Sequence, residues 1–111
     1  MGWLRLGHAR REYAVDLMNQ GGDKGVAEEL LRDALAALYQ AGEHRDAAYQ
    51  AEAHYHSSKT FYRLWRLLGD PAQLAQALEE AIEAKGTYPE SKYESWIEYL
   101  QSAASDQREA T

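Results

Sequence analysis

The side chains best suited to metal or acid–base chemistry are four histidines, His8, His44, His54 and His56, in a chain without cysteine. His54 and His56 are two positions apart. On a helix they leave on different sides, so they do not share an ion. His8 with Glu12, and Glu52 with His56, are i, i+4 pairs that each offer two ligands. A zinc site needs three or four, so no metal and no cofactor is expected. Gly21-Gly22-Asp23-Lys24-Gly25 has the look of a phosphate loop. It lacks the spacing of one and no strand precedes it, so it reads as a connection between helices. No Ser, His or Asp sits in a nucleophile elbow or other strained turn. The chain therefore reads as non-catalytic.

Charge and aromatic content say more. Residues 1–69 balance nine Lys/Arg against nine Asp/Glu, while residues 70–111 hold three basic and nine acidic residues and so carry the whole net charge of −6. Polynucleotide binding calls for a basic face, so nucleic acid is not the expected partner. Glu90, Glu94 and Glu98 form an i+4 acidic row, as do Glu79 and Glu83. Like charges at this spacing weaken a helix by a few tenths of a kcal/mol per pair, a cost that a basic partner would offset. The alternative is internal: Lys59, Arg63 and Arg66 form a basic row that a neighbouring helix could bring to Glu79 and Glu83. There are three Trp, eight Tyr and one Phe. Tyr13, Tyr55, Trp65, Tyr93 and Trp96 lie on apolar stripes and are expected in the core. Tyr39, Tyr49, Tyr88 and Tyr99 fall off those stripes. Tyrosine buries a large area at low entropic cost, so these rings suit a binding face. The candidate partner-binding residues are Tyr49, Tyr39, His54, Tyr99, Glu90, Glu94 and Glu98, with Tyr49 and its neighbours at the centre.

The elements that must carry these residues are helical. The 111 residues hold 19 Ala but only Val15, Val26, Ile82 and Ile97 as β-branched aliphatics, which nearly excludes a sheet. The apolar runs fall far short of the roughly 20 residues needed to span a bilayer, and no signal-peptide-like segment opens the chain. A cytoplasmic location is the expectation. Apolar spacing and punctuation predict helices over about 3–19, 24–41, 43–68, 71–85 and from the Thr87-Tyr88-Pro89-Glu90 capping box onward. Val26, Leu30, Leu31, Leu35 and Leu38 give the second helix a wide apolar face and a central place. Leu74, Leu78, Ala81 and Ile82 are expected inward on the fourth. The third is one long helix, or two broken at Ser57-Ser58, where serine can open a turn. Gly42 reads as a left-handed stop and Gly69-Asp70-Pro71 as stop, cap and first helical residue. Residues 1–104 form one domain and 105–111 a frayed tail. The fold class is thus all-α, about five antiparallel helices in a helical-hairpin array or an up-down bundle.

Two family resemblances follow. Tyr62 to Pro89 resembles the second half of a tetratricopeptide repeat: Leu68-Gly69-Asp70 looks like its inter-helix turn, Ala81 and Ile82 like the small and aliphatic residues of its second helix, and Pro89 like its closing proline. Phe61 and Trp65 fall where the preceding helix carries large residues, and Gly42-Glu43 with Ala47 resembles a second copy of the turn. The two turns are 27 residues apart, against a family period of about 34. This resemblance implies a protein-binding scaffold. Leu38-Tyr39-Gln40-Ala41-Gly42, with Ala47, Ala51 and a long helix to Gly69, resembles instead the HEPN class of small bundles, which implies action on RNA or nucleotides. That family's nuclease signature is an Arg closely followed by a His; Arg45 precedes His54 by nine positions, so cleavage is not implied. The preferred reading is a non-catalytic protein-interaction or assembly module, with a protein partner of basic character or a second copy of the chain. RNA or nucleotide binding by a HEPN-like bundle is the alternative.

Overall fold

A computed structural model describes residues 2–110, with side chains up to Gln107. It contains five helices, α1 (Gly2–Asn19), α2 (Lys24–Ala41), α3 (Ala47–Leu68), α4 (Pro71–Thr87) and α5 (Ser91–Ala110). Among the described residues there is no strand, and no helix is long and apolar enough to cross a membrane.

Local chemistry sets the boundaries. Asp23 caps α2 by accepting from the amides of Gly25 (2.7 Å) and Val26 (3.2 Å). Asp46 caps α3 through Tyr49 N–H at 3.1 Å, so α3 starts at Ala47 and Glu43–Asp46 remains outside it. Asp70 caps α4 through Ala72 N–H, with Pro71 at the first helical position, where its missing N–H leaves no bond unmade. After α1, Gly21 takes φ +72° while the amides of Gly21 and Gly22 donate to Met18 and Leu17, a paired closure that satisfies two terminal carbonyls. Gly69, also at φ +72°, donates to Trp65 and ends α3.

Besides the late start of α3, three boundaries differ from expectation. Gly42 has φ −66°, in the right-handed region, and α2 closes by tightened turns from Glu43 to Gln40 and His44 to Ala41. Helix α4 runs through Gly86 to Thr87, whose hydroxyl donates back to Glu83 O instead of opening a capping box. Helix α5 continues beyond Ser105 to Ala110, where a tail is expected; Thr111 lies outside the described residues.

Cross-helix pairs give the topology. Gly7 faces Ala34 and Leu38, Ala14 and Leu31 meet Leu64, and Ser58 and His54 meet Ala77 and Glu80. Glu52, Ser58 and Tyr62 meet Tyr93, Trp96 and Tyr99 in the same chain direction. So α1, α3 and α5 run parallel to one another, and α2 and α4 run opposite. The closest pairs are α1–α2 and α3–α4, as connections of two to five residues dictate. The centre is α3, not α2: α3 packs on α1, α2 and α4 and bonds α5 through side chains. Its buried residues include Ala51, Ala53, Ser57, Ser58 and Thr60, small side chains that let neighbours approach from all sides. Ser58 is no break point. Its hydroxyl donates to Ala77 O at 2.5 Å and accepts from the Trp96 indole N–H at 2.8 Å, which joins α4 and α5 to α3.

The core is built from Tyr62, Leu74, Ala77, Ala81, Ile97 and Leu100 on one side and Ala14, Leu31 and Leu64 on the other. Three stripe residues expected inside are not. Tyr13 is 60%, Val26 45% and Ile82 52% exposed. Each flanks a buried alanine on its own helix (Ala14, Ala27 and Ala81), and the close approach there leaves the bulkier neighbour no room within the seam.

Candidate functional site

Polar side chains leave α3 on two opposite flanks. Toward α1 and α5 runs a hydrogen-bonded chain. The buried Arg11 donates to His56 Nδ1 at 2.9 Å and to His56 O at 3.3 Å. Arginine only donates, so Nδ1 is the bare nitrogen and Nε2 carries the proton toward Glu52, 3.5 Å away. Glu52 also accepts from Tyr93 Oη at 2.8 Å and pairs with Lys92. Burial, then the Arg11 charge, pushes His56 down to about 4. Burial pulls the Glu52 carboxyl up, but its bonds from Lys92 and Tyr93 outweigh that and hold it below the ordinary range. The chain is saturated with internal partners, so its role is to bind α1, α3 and α5 together.

Toward α2 and α4 the structure opens a groove of about 350 Å³. Its apolar floor comes from Leu35 and Leu38 of α2 and Ala53 and Phe61 of α3; Tyr39, Glu43, Gln76 and Glu80 form the rim. His54 lies in it, with Nδ1–H donating to Glu80 at 2.9 Å. This bond to Glu80 raises the His54 pKa against the opposing effect of burial, with the Glu83 charge adding to the rise. The two histidines two residues apart thus serve opposite flanks, one held neutral and one favoured as a cation. The arrangement can seat an apolar side chain on the floor and a cation at the carboxylate edge. Among the described residues, no three of His, Asp and Glu converge in a set that could hold a metal ion.

No protein-family model matches the chain, and no curated protein or solved structure matches it either.

The groove gathers two of the sequence-selected residues, Tyr39 and His54. Tyr49 is elsewhere, half-buried with its ring 4.4 Å from that of His44, beside a shallow hollow that it shares with Leu4, Arg5, His8 and His56. Tyr99 is on α5, its hydroxyl 2.7 Å from that of Tyr62. Glu90, Glu94 and Glu98 are exposed at the start and along the outer side of α5, where Glu94 pairs with Lys85 at 3.7 Å. The selected residues therefore occupy separate surfaces and do not form one face around Tyr49. The basic row is also displaced: among the described residues no ion pair joins Lys59, Arg63 or Arg66 to Glu79 or Glu83. Lys59 lies instead over the rings of Tyr55 and Trp96, and Arg63 over that of Tyr62.

Sequence reading missed Glu43, Gln76, Glu80, Leu35, Leu38 and Phe61 as groove residues. A signal existed for Glu80. Once Gly69-Asp70 is taken as a tight turn, α3 and α4 are antiparallel and His54 must face a residue near the middle of α4. Leu35, Leu38 and Phe61 are ordinary apolar residues of a helix seam, indistinguishable in sequence from core, and Glu43 and Gln76 are exposed polar residues indistinguishable from any solvated surface.

Proposed function

We propose that this chain is a non-catalytic protein-interaction module that holds a partner segment in the groove between α2, α3 and α4. The observation that carries the reading is that groove's construction: an apolar floor, two carboxylates (Glu43 and Glu80) at the edge, and Tyr39 standing 73% exposed beside it. Charge complementarity selects the occupant. A peptide segment presents one large apolar side chain to Leu35, Leu38 and Phe61, and a neighbouring Lys or Arg to Glu80 and Glu43. An exposed tyrosine beside an apolar recess is a common anchor of binding energy. The stacked, short-jointed hairpins support a tetratricopeptide-like style of scaffold, and the reading places it in the cytoplasm.

The test is fluorescence anisotropy with labelled helical peptides that carry Leu or Phe next to Lys, and matched peptides with Asp in place of Lys. The basic series binds and the acidic series does not. Tyr39→Ala and Glu80→Gln each weaken binding by roughly tenfold. Equal binding of both series, or no effect of Tyr39→Ala, overturns the proposal. Light scattering on the same samples separates a foreign partner from a second copy: a concentration-dependent dimer that the peptide dissociates assigns the groove to a second copy, and a monomer, or a dimer that the peptide leaves intact, assigns it to a foreign partner.

A further inference from the structure

On the face opposite the peptide groove, four cations converge on a second groove of about 390 Å³ between α1, α3 and α5. Arg11, Lys59, Arg63 and Arg66 line it against a single acidic side chain, Glu12. In a chain of net charge −6 this is the reverse of the general balance. Lys59, Arg63 and Arg66 follow one another at helical spacing on α3, so they repel along the helix as well as across the groove. None of these three makes an ion pair among the described residues. Arg11 is 5% exposed, and its one acidic neighbour, Glu12, is 3.6 Å away and largely in solvent. The hydrogen bonds of Arg11 go to His56, whose accepting atoms carry no charge, so a buried guanidinium balanced only by Glu12 leaves positive potential at the groove floor.

The wall opposite the cations is aromatic. Trp96 and Tyr99 are stacked, with ring centroids 5.3 Å apart and planes within 12°. The Trp96 indole is pinned by its bond to Ser58 Oγ, and Tyr99 by its contact with the Tyr62 hydroxyl. Tyr99 nevertheless remains 51% exposed, so a flat ring has a rigid surface to lie on. The groove continues along Tyr62 and Arg66 to Asp106, so its positive end is the Arg11–Arg63 end.

From this juxtaposition we propose that the groove binds a phosphomonoester carried beside a flat ring, the phosphate on Arg63 and Arg66 above Arg11 and the ring on the Tyr99–Trp96 shelf. Arginine forks fit phosphate oxygens two at a time, and aromatic shelves take any π-face. The cavity has the size of a small-ligand site. An aryl phosphate, as on a modified tyrosine side chain, and a nucleoside monophosphate share this chemistry. The inference concerns a different surface from the peptide groove and stands or falls independently of it.

The experiment follows the Trp96 indole N–H signal by two-dimensional NMR in the full chain, titrated in parallel with phenyl phosphate, adenosine monophosphate, inorganic phosphate, phenol and adenosine. The expected result is saturable binding of at least one monoester, roughly tenfold or more tighter than inorganic phosphate and than its own neutral parent, and weaker at high salt. Tighter phenyl phosphate identifies an aryl phosphate source; tighter adenosine monophosphate identifies a nucleotide. Arg63→Gln and Arg66→Gln each lower the affinity by about tenfold, with thermal melts unchanged because neither side chain is buried. Arg11 is left intact, since its removal would disturb folding. No saturable binding of either monoester, equal binding of inorganic phosphate, or indifference to both Arg variants overturns the proposal.

Discussion

At His56 one proton sets a stability limit. Its Nδ1 accepts from Arg11, so protonation would place a second donor against a guanidinium, with His8 and Lys59 adding to the repulsion and Glu52 alone opposing it. The folded value near 4 lies below the ordinary 6.5. A depressed histidine contributes stability that is fully present above 6.5 and lost as pH falls from there toward 4, on the order of 3 kcal/mol in all. Glu52, also depressed, adds its own loss below the ordinary carboxylate value. His54 works with the opposite sign. Its raised pKa gives stability that is complete below 6.5 and disappears as pH rises through the folded value. Urea midpoints at pH 7 and pH 4.5 test this: the drop is smaller in His56→Gln and larger in His54→Gln, and equal drops in all three proteins would refute the assignment. A second residue-scale expectation concerns Ser58. Its alanine variant leaves a part-buried indole N–H without its acceptor and removes the side-chain donor to the Ala77 carbonyl, at a cost of about 1–3 kcal/mol in denaturant unfolding. Sequence showed that His54 and His56 point apart, because the helical period alone requires it. It did not show which of them would be neutral, since that depends on Arg11, 45 positions away in the chain.

At the scale of elements, the glycine, aspartate and proline punctuation pointed to about five helices, and Asp23 and Asp70 cap where their types require, whereas Asp46 caps α3 within a stretch read as helix. What the punctuation left open was rotation and register. The tight Gly69-Asp70 joint sets Ser58 opposite Ala77 and His54 opposite Glu80. Lys59 and Arg63 then turn away from α4, and their expected pairing with Glu79 and Glu83 has no geometry to use. Tyr13 and Ile82 follow the same logic, since a stripe wider than the seam must leave part of itself outside. Closeness of approach is decisive at Gly7. A Cβ there would stand 2.5 Å from Leu38 Cγ and 3.1 Å from the Ala34 carbonyl oxygen. Gly7→Ala therefore costs about 1–3 kcal/mol through displacement of α1 from α2, although alanine is the better helix former. A melting temperature at or above the parent's would contradict this.

For the whole molecule, the peptide groove and the basic groove lie on opposite flanks of α3, the helix that meets all four others. Opening α3 means opening everything, so its middle amides are expected to exchange hydrogen only by global unfolding, whereas α1, which packs mainly on α2, exchanges by smaller openings. Native-state hydrogen exchange in graded denaturant checks this: if protection is equal in α1 and α3, α3 is not the keystone. Fold class was legible because alanine-rich, β-poor composition leaves little else. The two grooves were only half legible, because each is made from three helices whose side chains meet through packing and not through spacing. One last property follows from the alternation of directions. Peptide-group dipoles of antiparallel neighbours offset one another in twos, and three rods against two leave one uncompensated. The pole where α1, α3 and α5 begin thus carries surplus positive partial charge, which gives Glu90 and Glu94 at the head of α5 a stabilising place to stand and biases how the particle turns as it meets anything charged.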